Sequence, residues 1–213
     1  LMYSGPVAAY AYSLVTGCSV AAVVLVGPSH FVGFEGVSIW PRGAWQTPFG
    51  DIDVAAELAE ALQSSSSAVV EYAVAHGREH SLEMQLPFVA RLLPDVPIVP
   101  LVMGYQSRET ANALGIALAK AVSGFTRARS GRVLIVASSD LSHYEDARMA
   151  ARLDGVVAAR VEALDADGLM DALELDPRHA CGGGPMVSVM KASLLLGATT
   201  ARVLRYADSG DVS

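Results

Sequence analysis

Charged side chains are scarce in this chain. Asp, Glu, Lys and Arg make up 17% of its 213 residues, below the ~25% usual in soluble domains. Hydrophobic residues make up 52%, so burial can offset ordering entropy, and intrinsic disorder is excluded. So little charge points to a thick core, a homo-oligomer interface, or both. Basic residues are fewer than acidic ones, 15 against 22, for a net charge of −7. No Lys/Arg cluster of the kind that neutralises phosphates occurs, so nucleic acid and anionic membranes are poor partners. No apolar run approaches the ~18–20 residues of a membrane span, and no signal peptide is seen. The expected location is the cytoplasm. Cysteine is nearly absent: Cys18 and Cys181 are the only two. They allow at most one disulfide, and in a leaderless chain of this size free thiols are expected.

What is present is a regular alternation. Short apolar, β-branched runs at 21–26, 68–73, 98–102, 133–137 and 201–206 read as strands covered on both faces. Helical patterns occupy 6–14, 52–62, 82–93, 111–122, 147–164, 167–175 and 186–196. The length suits one α/β domain with a well-buried core. The alternation predicts a mainly parallel or mixed central sheet with helices on both faces. No internal repeat or linker is seen. The stretch SIWPRGAWQTPFG (38–50) differs from its surroundings: Trp40 and Trp45 flank Pro41-Arg42-Gly43, which reads as a hairpin or flap. The chain opens on LMYSG, inside an ordered-looking segment, and closes on the loop-like SGDVS. Further strands are expected beyond both ends.

Open α/β sheets place ligands beyond the carboxyl ends of their strands. Strand 21–26 runs into GPSHF (27–31) and strand 133–137 into SSDLSHY (138–144). His30 therefore stands at the sheet edge. Asp140 and His143 are three apart. On one turn of helix they would share a side, the aspartate fixing the imidazole tautomer; alternatively Ser139 or Asp140 caps the following helix. Cys181 lies in HACGGGP (179–185). Three consecutive glycines suit a backbone passing close to something, with Pro185 in the first turn of the next helix. So near a helix N-terminus, the thiol is expected to have a lowered pKa.

HGREH (76–80) matches the H-x-x-E-H zinc-protease pattern, with His76 and His80 as ligands and Glu79 as base. That reading needs a helix across 76–80, which Gly77 opposes, and the apolar period begins only at Leu82. A helix starting near Ser81 would leave His76 in a loop and His80 at the helix mouth, with Pro87 kinking it. His76 and His179 then read as loop residues or supporting donors. His30, His80 and Cys181 together make a three-ligand set that leaves a coordination position open, as catalytic metal sites do.

GPSHF, EHSLEMQLPF, SSDLSHY and ACGGGP, in this order and at these separations, resemble the MEMO family, also catalogued as AmmeMemoRadiSam system protein B. The resemblance runs from YSGPVAAYAY to YADSGDVS. It implies a fold like that of the class III extradiol dioxygenases, which hold Fe(II) on two histidines and a carboxylate. In the family a cysteine replaces the carboxylate. Carried over, the metal ligands are His30, His80 and Cys181, with His143 as acid–base residue and Asp140 beside it. The resemblance implies one mononuclear metal ion, Fe(II) or Cu first and Zn also allowed, in a redox metalloenzyme. Its second implication is a non-catalytic accessory protein, working with a radical-SAM or AMMECR-type partner. A pocket lined by Trp40, Trp45 and Tyr144 would then take a small molecule or peptide. The PHAG segment usual in the family just before the LMYSG position is absent here, and the chain stops before the family's final strand.

Overall fold

The computed structural model describes residues 2–212. Its central element is β1 (Val20–Pro28), whose side chains are apolar on both faces. Ala22, Val24 and Val26 point to one side, against α2 (Ala56–Ser65), α4 (Arg108–Ala128) and α7 (Gly183–Leu195). Val23 and Leu25 point to the other, against α1 (Ser4–Ser13) and α3 (Leu86–Leu92). A strand buried on both faces needs no polar alternation, which is why its apolar run is continuous.

β1 pairs in parallel with β6 (Ile98–Met103) and with β7 (Arg132–Ala137). β2 (Val37–Ile39) runs antiparallel to β6 and parallel to β5 (Val69–Val70). The five-stranded order is β5-β2-β6-β1-β7, a mixed sheet in a single α/β domain. β3 (Ala44–Thr47) and β4 (Gly50–Asp53) form a separate antiparallel hairpin that turns at Pro48-Phe49, not at the expected Pro41-Arg42-Gly43, and holds Trp45 but not Trp40. α5 (Ala147–Glu162) and α6 (Ala166–Leu175) pack with α4 and α7 around a third apolar cluster that includes Val157, Leu169 and Val187.

Several local expectations are corrected. Residues 201–206 are not a strand; their bonds go to α5 instead, from Val203 N–H to Glu162 (3.3 Å) and from the Tyr206 hydroxyl to Asp154 (2.8 Å). The strand expected at 68–73 shrinks to two residues because Ala73–Ala75 wind into a 3₁₀ turn. The 52–62 pattern divides into the end of β4 and the start of α2. Residues 81–85 are turns, so α3 begins only at Leu86, and Pro87 lies in its first turn where no N–H is needed; it does not kink the helix. The cap of α5 is Asp146, accepting from Met149 N–H at 2.9 Å, not Ser139 or Asp140.

The glycines before Pro185 are required by space. A Cβ on Gly182 would lie 2.5 Å from the Ser138 carbonyl oxygen, and one on Gly184 would lie 2.6 Å from the Met103 sulfur. The start of α7 thus seats against the carboxyl ends of β7 and β6. Gly182→Ala is expected to cost about 1–3 kcal/mol through overpacking against a backbone atom. Gly124→Ala, in open space within α4, should stabilise by roughly 0.5–1 kcal/mol through helix propensity. Urea unfolding of the two variants measures the contrast.

Candidate metal centre

The carboxyl ends of β1 and β7 are neighbours, Val26 opposite Ala137. The loops that leave them carry His30 on one side and Asp140 with His143 on the other. A third loop, after the 3₁₀ turn at Ala73–Ala75, brings Glu79 and His80 to the same edge. His30, Glu79 and His80 each offer a ligand atom within 4.8 Å of the others, a group that could hold a metal ion. The two imidazoles are nearly parallel, 18° apart, with centroids 5.1 Å from each other.

Glu79 organises this group. Its side chain is almost wholly buried, which an unpaired carboxylate could not sustain. One oxygen accepts from His30 Nδ1 (2.8 Å), His80 N–H (2.9 Å) and Ser81 N–H (2.8 Å); the other accepts from His30 N–H (2.6 Å). Burial raises the carboxyl pKa, but the bonds from His30 and Ser81 outweigh it and hold it below the usual carboxylate value. In the neutral ring, donation from Nδ1 of His30 to this carboxylate leaves Nε2 as the bare nitrogen. That is the arrangement in which a carboxylate orients a metal-binding imidazole and raises its basicity. Sequence reasoning placed Glu79 only as a protease base. The one local signal of its actual role is its place directly before His80.

Cys181, Asp140 and His143 form a second group. Asp140 N–H donates to the Cys181 sulfur at 3.3 Å, and Cys181 N–H donates back to the Asp140 carbonyl at 3.2 Å. Cys181 does not belong to the 4.8 Å group of His30, Glu79 and His80. Its thiol pKa is raised, contrary to the lowering expected beside a helix: burial outweighs the bonds from Asp140 and Ser139. His143 Nε2 stands 3.8 Å from Asp140 Oδ2, an ion-pair contact in a loop and not a hydrogen bond on a helical turn. Tyr144 is fully exposed, its ring 5.9 Å from that of His143, and its φ of 62° is strained for a non-glycine residue.

Two buried serines tie the loops together. Ser138 Oγ donates to the Ser81 carbonyl at 2.7 Å, and Ser81 Oγ donates to the Pro28 carbonyl at 3.1 Å. Gln85 Nε2 donates to Ser138 Oγ at 2.8 Å, and the Tyr12 hydroxyl donates to Gln85 at 3.0 Å. The segments bearing His30, His80 and Asp140 are thereby joined by side chains that do not reach a ligand. Gly27 permits the contact, since a Cβ there would sit 2.5 Å from Ser81 Oγ.

The other candidates lie elsewhere. His76 is buried, its Nε2 3.0 Å from Ser38 Oγ, with Trp40 and Trp45 edge-on at 5.7 and 6.0 Å. Residues 76–80 are not helical, so His76 and His80 do not share a helix face and the zinc-protease reading fails. Trp40 and Trp45 make their ring contacts with His76, whereas Tyr144 makes its contact with His143. His179 donates from Nδ1 to the Asp176 carbonyl at 2.7 Å and steadies the turn before Cys181.

A mixed α/β sheet with a His–Glu–His group beyond the carboxyl ends of its parallel strands defines a candidate metal-binding protein. The chain belongs to the Memo-like family: the family model described as Memo-like protein matches residues 1–213. It is 38% identical over 213 residues to a MEMO1 family protein of Pyrobaculum aerophilum, covering all of this chain and 74% of that protein. It is 40% identical over 214 residues to one from Methanosarcina mazei, covering 76% of the latter. With a relative from Thermotoga maritima it shares 37% over 213 residues, covering 74% of that chain.

Two predictions follow from this geometry. Burial holds the His76 pKa at about 4, below its unfolded value of ~6.5. The unfolded chain therefore takes up the proton first, and stability present above pH 6.5 is lost as pH falls towards 4. Between pH 7 and 5 the loss is on the order of 2 kcal/mol. His76→Asn should flatten that dependence in urea titrations and leave metal affinity unchanged. Ser138→Ala, which removes a hydrogen bond joining two of the loops, should weaken Zn(II) binding about 5-fold, the ~1 kcal/mol of one such bond, and Ser138→Thr should recover most of it in competitive chelator titrations.

Proposed function

We propose that the chain is a mononuclear metal protein with redox capacity, related in chemistry to the class III extradiol dioxygenases. The observation that carries the reading is the His30–Glu79 pair beside the parallel ring of His80. A buried carboxylate that accepts a hydrogen bond from one ring nitrogen leaves the other as a ready ligand. His30 and His80 supply two imidazoles, and Cys181, on the loop that Asp140 holds, is the proposed third ligand. Two imidazoles with a thiolate suit Fe(II) or Cu, and accept Zn. A bound Fe(II) or Cu would supply one-electron chemistry and an open position for a small molecule.

The chain's own residues supply the rest. In this reading His143, partly exposed beside Asp140, takes a proton from a phenolic or similar hydroxyl. Asp140 Oδ2 lies 3.8 Å from its Nε2. Free Cys181 is protonated at neutral pH because burial raises its pKa, so metal binding must displace that proton.

The test is metal titration with proton counting. Wild type should bind one Fe(II), Cu or Zn ion per chain, release a proton, and bind more tightly as pH rises towards the thiol pKa. Cys181→Ser should abolish the proton release and the pH dependence. His30→Ala and His80→Ala should each weaken binding at least 100-fold. Fe(II)-loaded protein should consume oxygen with catechol, and His143→Ala should stop turnover while metal stays bound. Metal binding indifferent to His30 and His80 would overturn the reading.

A further inference from the structure

We propose that Arg78 anchors a carboxylate on the small molecule that the His30/His80 centre binds, so that the preferred ligand is an organic acid whose carboxylate lies away from its metal-binding atoms. This rests on the reading just given. Arg42 pairs with Glu71, Arg108 with Asp171 and Glu174, Arg129 with Glu57, Arg160 with Asp165, and Arg178 with Asp176 and Glu145. Arg78, like Arg91, Arg132 and several other arginines, has no carboxylate partner among the described residues; what sets it apart is where its guanidinium lies.

Its guanidinium carbon lies instead 5.0 Å from the centroid of the Phe31 ring. Phe31 is half exposed and rests edge-on against both site histidines, 6.5 Å from the His30 ring at 73° and 5.9 Å from the His80 ring at 60°. A cation is thus fixed at the mouth of the site through an aromatic ring that touches both proposed ligands. A guanidinium held over a ring keeps its N–H donors at its rim, in the fork that matches a carboxylate.

The local charge balance agrees. The Glu79 carboxylate is taken up by four N–H donors and turned inward, so it does not neutralise Arg78. The chain as a whole is acidic, at −7, and repels anions at long range. An unpaired cation beside the centre is therefore a local selector for one anionic group. Arg78 precedes Glu79 and His80 in sequence, so its position is coupled to the metal-binding loop.

The experiment compares catechol with 3,4-dihydroxybenzoate on the full chain loaded with Zn(II), which avoids oxygen chemistry, by calorimetry. Wild type should bind the carboxylate-bearing probe about tenfold or more tighter than catechol, as a charge-assisted bidentate pair implies. The preference should shrink at high salt. Arg78→Ala and Arg78→Gln should bind both probes equally, with Zn(II) affinity unchanged, and Arg78→Lys should keep part of the preference. Equal affinities in wild type, or a preference that survives in Arg78→Gln, overturn the proposal while leaving the metal reading intact. Failure of both probes to bind a demonstrably Zn-loaded protein overturns this proposal and the small-molecule part of that reading; failure to load Zn overturns both at their root.

Discussion

One buried carboxylate organises the site end of this molecule. Glu79 gathers four N–H groups: three backbone amides, of His30, His80 and Ser81, and the His30 imidazole. Two of those donors come from His30, which lies 49 positions away in the chain. The loop after β1 and the loop before α3 are joined at this point. Without the anion, the N–H groups would be buried and unpaired, a cost of ~1–3 kcal/mol each. The orientation of the His30 ring is thus inseparable from the folding of its loop.

The sheet places this junction where α/β architecture tends to put chemistry. β1 is parallel to both neighbours, so the loops after β1, β6 and β7 emerge at one edge. Ser138 and Ser81 then bind the emerging loops to one another, and Gly182 lets α7 close on them from the side. Burial drives the sheet together on both faces. The polar contacts at its rim contribute less to stability and more to registration: each links segments that hydrophobic packing alone would leave free to slide.

Much of the fold was legible in the sequence, and the reasons differ by element. β1 and β6 are apolar throughout because both faces are covered, so their runs stand out. α5 was placed almost to the residue by its period. The strand expected at 201–206 failed because an apolar, β-branched run cannot reveal whether a neighbour is there to pair with; its groups bond to Glu162 and Asp154 instead. β2 went unseen because three residues carry no measurable period. In the site, GPSH pointed to His30 through its position at a strand end, whereas the helix mouth expected at His80 is a run of turns, with α3 starting only at Leu86. The role of Glu79 was hidden, since a carboxylate's partners are a matter of tertiary contact. The Cys181 shift was read with the wrong sign because helix proximity can be seen in a sequence and burial of one sulfur cannot.

That burial has a chemical consequence of its own. A thiol kept protonated is a poor nucleophile towards peroxide, since the thiolate is the species oxidants attack. The metal-free chain therefore shields Cys181 from sulfenic acid formation, while exposed Cys18 has no such shelter. Oxidative damage in the resting protein would collect first at Cys18, in the connection between α1 and β1.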